Sequence, residues 1–261
     1  LAAIDQFPPR PGVPPKGTLL WLHAFPLHAR LWEPQRALAS EGWRVVAPHL
    51  RGFAAPEGGV SPETTMDDYA ADVVQLVRAL DAGPVVLGGL SLGGYVAFAV
   101  LRRAPDLVRG LILADTRAEA DADEARRNRD RLIRVAREDG VSAIADEMVP
   151  KLLGRTSQEE QPALATHVRS LVSANHADAV VAALHAMKTR PDSTALLPGI
   201  RVPALVIVGA EDLLTPPPLS RAMAGAIPAA ALVELARAGH LPNLEQPEAF
   251  NTAVRSFLHR L

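Results

Sequence analysis

Ser91 stands among four glycines in the stretch GGLSLGG of residues 88–94. The apolar run at 84–90 predicts a buried strand, and the run at 95–101 predicts a buried helix. Ser91 therefore lies on the turn between them. The pattern Gly-x-Ser-x-Gly is typical of a nucleophile elbow, which lifts the serine hydroxyl off the sheet edge and points the following backbone N–H groups at the atom under attack. The chemistry indicated is nucleophilic catalysis by serine.

Two nucleotide-binding motifs also place glycines between a strand and a helix, and neither fits. A P-loop requires Gly-Lys and then Ser or Thr after its four-residue spacer, whereas Gly93 is followed here by Gly94 and Tyr95. The dinucleotide-binding pattern G-x-G-x-x-G is absent from every register of this stretch. The glycines of this turn therefore do not predict a nucleotide site, and Ser91 remains interpreted as a nucleophile.

Alternating strands and helices surround this turn. Strands are predicted at 18–24, 44–48, 84–90, 108–114, 202–208 and 231–235. The alternation favours an α/β fold with a mostly parallel central sheet of about six to eight strands, flanked by helices. Residues 1–17 contain five prolines, which cannot donate ladder hydrogen bonds, so we expect an extended arm there.

The alternation stops after the strand that ends at Asp115. Residues 117–190 contain no strand-like run, while helical periodicity recurs, as in the face formed by Ala125, Leu132 and Ala136. We therefore expect a helical cap at 117–190, inserted into a core formed by 1–116 and 191–261.

A serine is a poor nucleophile until a base takes its proton, and a histidine base needs an acid to fix its tautomer. In a parallel sheet, reactive groups collect at the carboxyl ends of the strands. Asp212 follows the fifth predicted parallel strand and His240 follows the sixth. The position of these residues predicts that Ser91, Asp212 and His240 act together.

Several segments resemble the serine α/β-hydrolases, specifically the capped group that includes carboxylesterases, enol-lactonases, proline iminopeptidases and cofactor-free haloperoxidases. The resemblance covers the chain from Thr18 to its end. It rests on the segments HAFP (23–26), PHLRG (48–52), GLSLGG (89–94), GAED (209–212) and GH (239–240).

The resemblance implies a role for each matching residue. Ser91 would be the nucleophile, His240 the general base and acid, and Asp212 the carboxylate that orients the histidine. The backbone N–H groups of Phe25 and Leu92 would form the oxyanion hole. The family commonly has glycine where Ala24 stands, so we expect a negative φ there; it also commonly has aspartate at the position of His49.

Other residues compete for some of these roles. Asp115 also ends a strand, and some relatives take the acid from that position. His23 is interpreted as a structural residue behind the oxyanion loop rather than a base, and His28 as a surface histidine. The cap arginines Arg126, Arg127, Arg129, Arg131, Arg134 and Arg137 are interpreted as a solvated helix face, with binding of phosphate or carboxylate as the alternative.

Composition limits the partners. The 261 residues carry a formal charge of −2 and no cysteine, which argues against nucleic acid, anionic membranes and thiol chemistry. The cap histidines lack metal-ligand spacing, so no metal site and no cofactor are expected. Neither a membrane span nor a signal-peptide pattern is evident, which predicts a cytoplasmic protein; the sequence leaves its oligomeric state open.

We therefore expect a carboxylesterase that cleaves small to medium uncharged esters or lactones through an acyl-enzyme. An apolar pocket is predicted from Phe25, Leu213, Leu214 and Leu241. Perhydrolase or haloperoxidase-like activity and hydrolysis of an enol-lactone or a carbon–carbon bond are alternatives at the same site. A non-hydrolytic small-molecule receptor or signalling protein on the same fold is an alternative of another class.

Overall fold

The computed structural model describes residues 3–6, 12–54 and 59–261, and its centre is a seven-stranded sheet. The strands are β1 (Ala3–Gln6), β2 (Thr18–Leu22), β3 (Arg44–Pro48), β4 (Val85–Leu90), β5 (Val108–Ala114), β6 (Ala204–Gly209) and β7 (Ala230–Leu235). Their order across the sheet is β1-β3-β2-β4-β5-β6-β7. Every neighbouring pair is parallel except β1 and β3. The predicted α/β fold with six parallel strands is confirmed.

The first strand corrects one expectation. Residues 1–17 were expected to form an arm without ladder pairing, yet Ala3–Gln6 pairs antiparallel with β3. The five prolines begin only at Pro8, so the four residues of β1 keep all their N–H donors. Residues 1–2 and 7–11 of the predicted arm lie outside the described residues.

Helices cover the parallel strands on both faces. The core helices are α1 (Met66–Ala79), α2 (Leu92–Arg103), α8 (Pro217–Ala226), α9 (Pro242–Glu245) and α10 (Pro247–Leu258), with 3₁₀ segments at Ala29–Glu41, Pro105–Leu107 and Thr194–Gly199. Strands β2, β4 and β6 are buried at every position, as expected for strands packed on both faces. The chain goes from β2 to β3 on one side of β2 and then crosses to β4 on its other side. Such a switch in strand order opens a crevice at the carboxyl ends of the strands.

Five consecutive helices lie between β5 and β6: α3 (Asp123–Glu138), α4 (Gly140–Leu152), α5 (Arg155–Glu160), α6 (Pro162–Ser173) and α7 (Ala177–Thr189). Helix α3 packs mainly on α7, and α4 packs on α6. Leu132 and Ala136 of α3 are buried, as their spacing predicts. Across the three described ranges, no helix combines the length and the apolar character needed to cross a membrane.

Candidate active site

Ser91 occupies the turn between β4 and α2, in a backbone conformation that is unfavourable for a residue with a side chain. Its φ is 54° and its ψ is −110°. Two hydrogen bonds hold the turn: the Ser91 N–H donates to the Ala114 carbonyl at 2.9 Å, and the Thr116 hydroxyl donates to the Ser91 carbonyl at 2.9 Å. Strain of this kind persists only where surrounding contacts fix it, and it is concentrated at functional sites.

The flanking glycines are required because other backbone lies against them. A Cβ at Gly89 would lie 2.3 Å from the Gly93 carbonyl, and a Cβ at Gly93 would lie 2.1 Å from the Leu22 carbonyl oxygen. Both distances are far below van der Waals contact. The Gly-x-Ser-x-Gly pattern is therefore explained by the close approach of α2 to β4 and β2 at the turn.

Asp212 and His240 lie at the carboxyl ends of β6 and β7 and form a buried pair. The distance from His240 Nδ1 to Asp212 Oδ2 is 2.8 Å, and the Asp212 carboxylate is fully buried. With Nδ1–H donating to Asp212, Nε2 is left as the nitrogen able to accept a proton. His240 and Ser91 both line one cavity, so the structure brings the three predicted residues to one place.

A local turn motif fixes the Asp212 carboxylate. Oδ1 accepts the N–H groups of Leu214 at 2.8 Å and Thr215 at 3.2 Å, and Oδ2 accepts the Thr215 hydroxyl at 2.6 Å. Burial acts to raise the pKa of Asp212, but His240 and these hydrogen bonds outweigh it and hold the pKa below its usual range. Asp212 is therefore an anion suited to orienting an imidazole.

Asp115, the competing acid, lies behind Asp212. Its carboxyl is fully buried; Oδ1 accepts the Gly209 N–H at 2.9 Å, and Oδ2 has no hydrogen-bond partner among the described residues. Burial and the neighbouring Asp212 raise the pKa of Asp115 well above its usual value. Burial and Asp212 therefore favour the protonated form of Asp115, and Asp212 is the carboxylate paired with His240.

We predict that two replacements of Asp115 lower the free energy of unfolding by different amounts. Asp115→Ala should lower the free energy of unfolding by about 1–3 kcal/mol, because the Gly209 N–H loses its acceptor and because alanine tolerates a φ of 42° poorly. Asp115→Asn keeps an acceptor and tolerates that φ, so it should be much less destabilising. Urea unfolding at pH 7 measures both.

The pH dependence of the free energy of unfolding supplies a control for this prediction. The folded state holds a proton that the unfolded carboxyl releases above about pH 4, so this group's stabilisation declines as pH rises from there toward the raised pKa. Asp115→Asn removes the decline, and its stability relative to wild type should improve between pH 4 and 7. Equal destabilisation by Asn and Ala at pH 7 would contradict the raised pKa of Asp115.

Glu245 anchors the loop that carries His240. Its buried carboxylate accepts the N–H groups of Gly239 at 2.8 Å, Leu241 at 3.1 Å and Gly154 at 2.8 Å. The His240 N–H donates to the Leu152 carbonyl at 3.1 Å. These bonds tie the histidine loop to the segment between α4 and α5, so Glu245 positions both sides of the cavity.

The two N–H groups expected to form the oxyanion hole come from separate loops. Phe25 follows β2 and lines the cavity, while Leu92 is the first residue of α2. Within the described ranges neither N–H donates to a protein acceptor. The φ of Ala24 is not positive, as expected. Both donors therefore remain available to a ligand.

His23 has a structural role in this loop. Its Nδ1–H donates to the Ala24 carbonyl at 3.0 Å, and its Nε2 accepts the Leu50 N–H at 3.0 Å. Burial lowers the pKa of His23 to about 3, so the ring is neutral. His28 was expected at the surface, but it is buried beside His49, with ring centroids 5.4 Å apart.

The cavity above Ser91 has a volume of about 170 Å³. The residues that line it differ from those of the predicted pocket. Phe25 and Leu214 line it, but Leu213 is 84% exposed and Leu241 is fully buried, so neither of the latter reaches it. Leu213 directly follows Asp212 on an exposed turn, and Leu241 points into the core. Cationic side chains of Arg117, Arg129 and Lys151 also line the cavity, beside apolar side chains such as those of Leu132 and Met148.

Asp115, Asp212 and His240 form the one group of acidic and histidine side chains in the described part of the chain that is compact enough to hold a metal ion. Their potential ligand atoms lie within 4.8 Å of one another. The hydrogen bonds of Asp212 and His240 already engage these atoms, which favours proton handling over metal coordination.

Sequence reasoning missed four features of the site. Thr215 could have been found, because Asp-x-x-Thr is a common turn in which the aspartate accepts the following N–H groups. Glu245 carries no sequence signal, since its partners are backbone groups from three segments. Arg117 and Lys151 lie in the cap, where periodicity shows helices but not which residues face the cavity.

Comparison with known proteins gives consistent results. Residues 19–253 match the family described as the alpha/beta hydrolase family. The chain is 40% identical to a thermophilic esterase from Thermogutta terrifontis, solved with malate bound, at a TM-score of 0.92 over 99% of this chain and 93% of that one. It is 28% identical to the enol-lactonase from Burkholderia xenovorans LB400, at a TM-score of 0.89 over 99% and 96%. It is also 30% identical over 222 residues to the pimeloyl-[acyl-carrier protein] methyl ester esterase of Neisseria meningitidis, covering 83% of each chain.

Proposed function

The chain belongs to the alpha/beta hydrolase family, and from that premise we propose that it is a serine esterase that hydrolyses small esters or lactones through an acyl-enzyme on Ser91. The observation that carries the proposal is the buried Asp212–His240 pair, with its 2.8 Å hydrogen bond, on the same cavity as the strained Ser91 turn. The esterase and enol-lactonase relatives support the ester or lactone as the reacting group.

In the acylation step, His240 Nε2 takes the proton from the Ser91 hydroxyl as Oγ attacks the ester carbonyl carbon. The carbonyl oxygen becomes an oxyanion, which the N–H groups of Phe25 and Leu92 stabilise; one such donor is typically worth about 3 kcal/mol in the transition state. Asp212 keeps the proton of the ring on Nδ1 and stabilises the imidazolium that forms. The intermediate then expels the alcohol, which leaves with the proton from Nε2.

Deacylation repeats these steps with water. His240 Nε2 removes a proton from the water as its oxygen attacks the acyl carbon, and the same two N–H groups hold the second oxyanion. Collapse of this intermediate breaks the bond to Ser91 Oγ, which recovers its proton from His240. The products are a carboxylic acid and an alcohol, and the protein returns to its starting state.

Substrate choice belongs to the helices between β5 and β6. We assign residues 117–190 to a cap over the core of 1–116 and 191–261, because α3 and α4 supply Leu132 and Met148 to the cavity whose floor carries Ser91. Its volume is about 170 Å³, below the roughly 300–1,000 Å³ of pockets that take drug-sized ligands. The cavity therefore favours short acyl groups.

A panel of nitrophenyl esters graded by acyl length tests this function. We expect turnover that is highest for short acyl chains and falls steeply as the chain outgrows the cavity. A single stoichiometric release of nitrophenol without turnover would instead favour a receptor that keeps the reactive serine. Turnover that does not depend on acyl length would contradict the assignment of the cavity as the acyl site.

A further inference from the structure

The wall of the cavity contributed by the cap includes three cationic side chains. Arg117, just after β5, and Arg129 on α3 line the cavity together with Asn128, and Lys151 on α4 lies at its rim. The side chains of Arg117 and Arg129 are 24% and 18% exposed, whereas that of Lys151 is 49% exposed. The two guanidinium groups are therefore partly withdrawn from solvent, where their field is screened less than at an open surface.

These charges are not neutralised within their own cluster. The fully buried Asp121 carboxylate is shared by Arg117 at 3.0 Å, Arg129 at 3.1 Å and Arg190 at 2.7 Å. The Asp192 carboxylate also acts on Arg190, so three guanidinium groups and two carboxylates leave one formal positive charge. Glu147 is likewise shared by Lys151 and Arg131. The cavity wall thus carries an excess of positive charge.

Arg190 has a structural role that separates it from the other two. Its guanidinium lies 4.0 Å from the centroid of the Tyr95 ring and donates to the carbonyls of Glu119 and Met187 at 2.8 Å each. Its side chain is only 3% exposed. The excess charge that a ligand can reach therefore belongs to Arg117 and Arg129.

Arg117 lines the cavity with a guanidinium that Asp121 engages through one nitrogen. Its Nη2 donates to Asp121 at 3.0 Å, and the side chain is among those that line the cavity. A guanidinium presents its N–H groups as a fork that matches a carboxylate. A ligand carboxylate in this cavity would accept from Arg117 and offset the excess charge.

We propose that the substrates of this site are esters that carry a carboxylate at the end remote from the scissile bond, and that Arg117 and Arg129 bind that carboxylate. The proposal rests on the proposed esterase function. It replaces the expectation of uncharged substrates, and it assigns to Arg129 the carboxylate-binding alternative that the sequence left open. The carboxylate can belong to the acyl part or to the alcohol part of the ester.

Pairs of esters in which a carboxylate replaces a terminal methyl group test the proposal. For the acyl side, monomethyl adipate is compared with methyl hexanoate; for the alcohol side, acetoxyacetate is compared with ethyl acetate. Acid release is followed by titration at constant pH. We expect kcat/KM to be about tenfold or more higher for the anionic member of at least one pair, and to fall with added salt for that member only.

Variants identify the residues responsible. Arg117→Gln and Arg129→Gln should each lower the anionic-to-neutral ratio of kcat/KM about tenfold, and Lys151→Gln, which is more exposed, should lower it about two- to threefold. Arg127→Gln is the matched control for Arg129→Gln, because Arg127 lies exposed on the same helix, α3, and does not line the cavity; it should leave the ratio unchanged. Thermal unfolding of each variant confirms that it is folded.

Three other results of these experiments would each overturn a different part of the proposal. Neutral esters that are turned over as well as their anionic partners in both pairs would overturn the carboxylate proposal and leave the esterase function intact. A preference for anions that survives Arg117→Gln and Arg129→Gln in folded protein would overturn the residue assignment. No turnover of any of the four esters or of the nitrophenyl panel would remove the esterase function and the proposal with it.

Discussion

Replacing Ser91 by alanine is expected to lower kcat for ester hydrolysis by about 10⁴-fold or more, the usual scale for loss of a serine nucleophile. The turn that carries Ser91 is held by its backbone N–H and carbonyl, which the alanine keeps. The fold should therefore survive while the acyl-enzyme can no longer form. Steady-state hydrolysis of a nitrophenyl ester measures the loss.

Ser220→Ala is the matched control for this experiment. Ser220 is a buried serine, like Ser91, and its hydroxyl has no hydrogen-bond partner in the described part of the chain. It lies on α8 and does not line the cavity, so its replacement should change kcat by less than about twofold. Activity of Ser91→Ala close to that of Ser220→Ala would remove Ser91 from the mechanism.

Replacing Asp212 by asparagine is expected to lower kcat by about 10³–10⁴-fold. Asparagine keeps the size of the side chain, but its amide cannot supply both the acceptors and the negative charge that hold the His240 proton on Nδ1. The imidazole then loses the tautomer in which Nε2 accepts the serine proton. Separate values of kcat and KM, measured with the same ester, distinguish this loss from one of binding.

Asp115→Asn provides the comparison, because both acids end strands and lie beside each other. Since burial and Asp212 raise the pKa of Asp115 and favour its protonated form, the amide should reproduce its hydrogen bonding, and kcat should fall by less than about tenfold. If Asp115→Asn instead lost as much activity as Asp212→Asn, the assignment of the orienting carboxylate to Asp212 would be wrong.

The sheet could be predicted because its strands are continuous apolar runs separated by clear helical periods. Runs such as 85–90 and 204–209 are buried on both faces, and only a parallel sheet covered by helices buries strands in this way. The strand β1 was missed because the prolines that follow it dominate the composition of residues 1–17. Four proline-free residues suffice for pairing at a sheet edge.

The reactive groups could be predicted because strand order places the ends of β4, β6 and β7 at one edge, which selects Ser91, Asp212 and His240 from many serines, acids and histidines. The cavity wall could not be predicted. Whether a cap arginine faces solvent or the substrate depends on how α3 packs on α7 and on which side chains share Asp121. Those contacts join residues far apart in the chain and leave no periodic signal.

Labelling with a serine-directed phosphonate tests the central claim most directly, because the adduct is stable and its position can be mapped by mass spectrometry of the digested protein. We predict one phosphonyl group per chain, attached to Ser91, with ester hydrolysis lost in proportion to labelling. We also predict no adduct in Ser91→Ala. An adduct on another residue, or ester turnover that persists in fully labelled protein, would contradict Ser91 as the nucleophile.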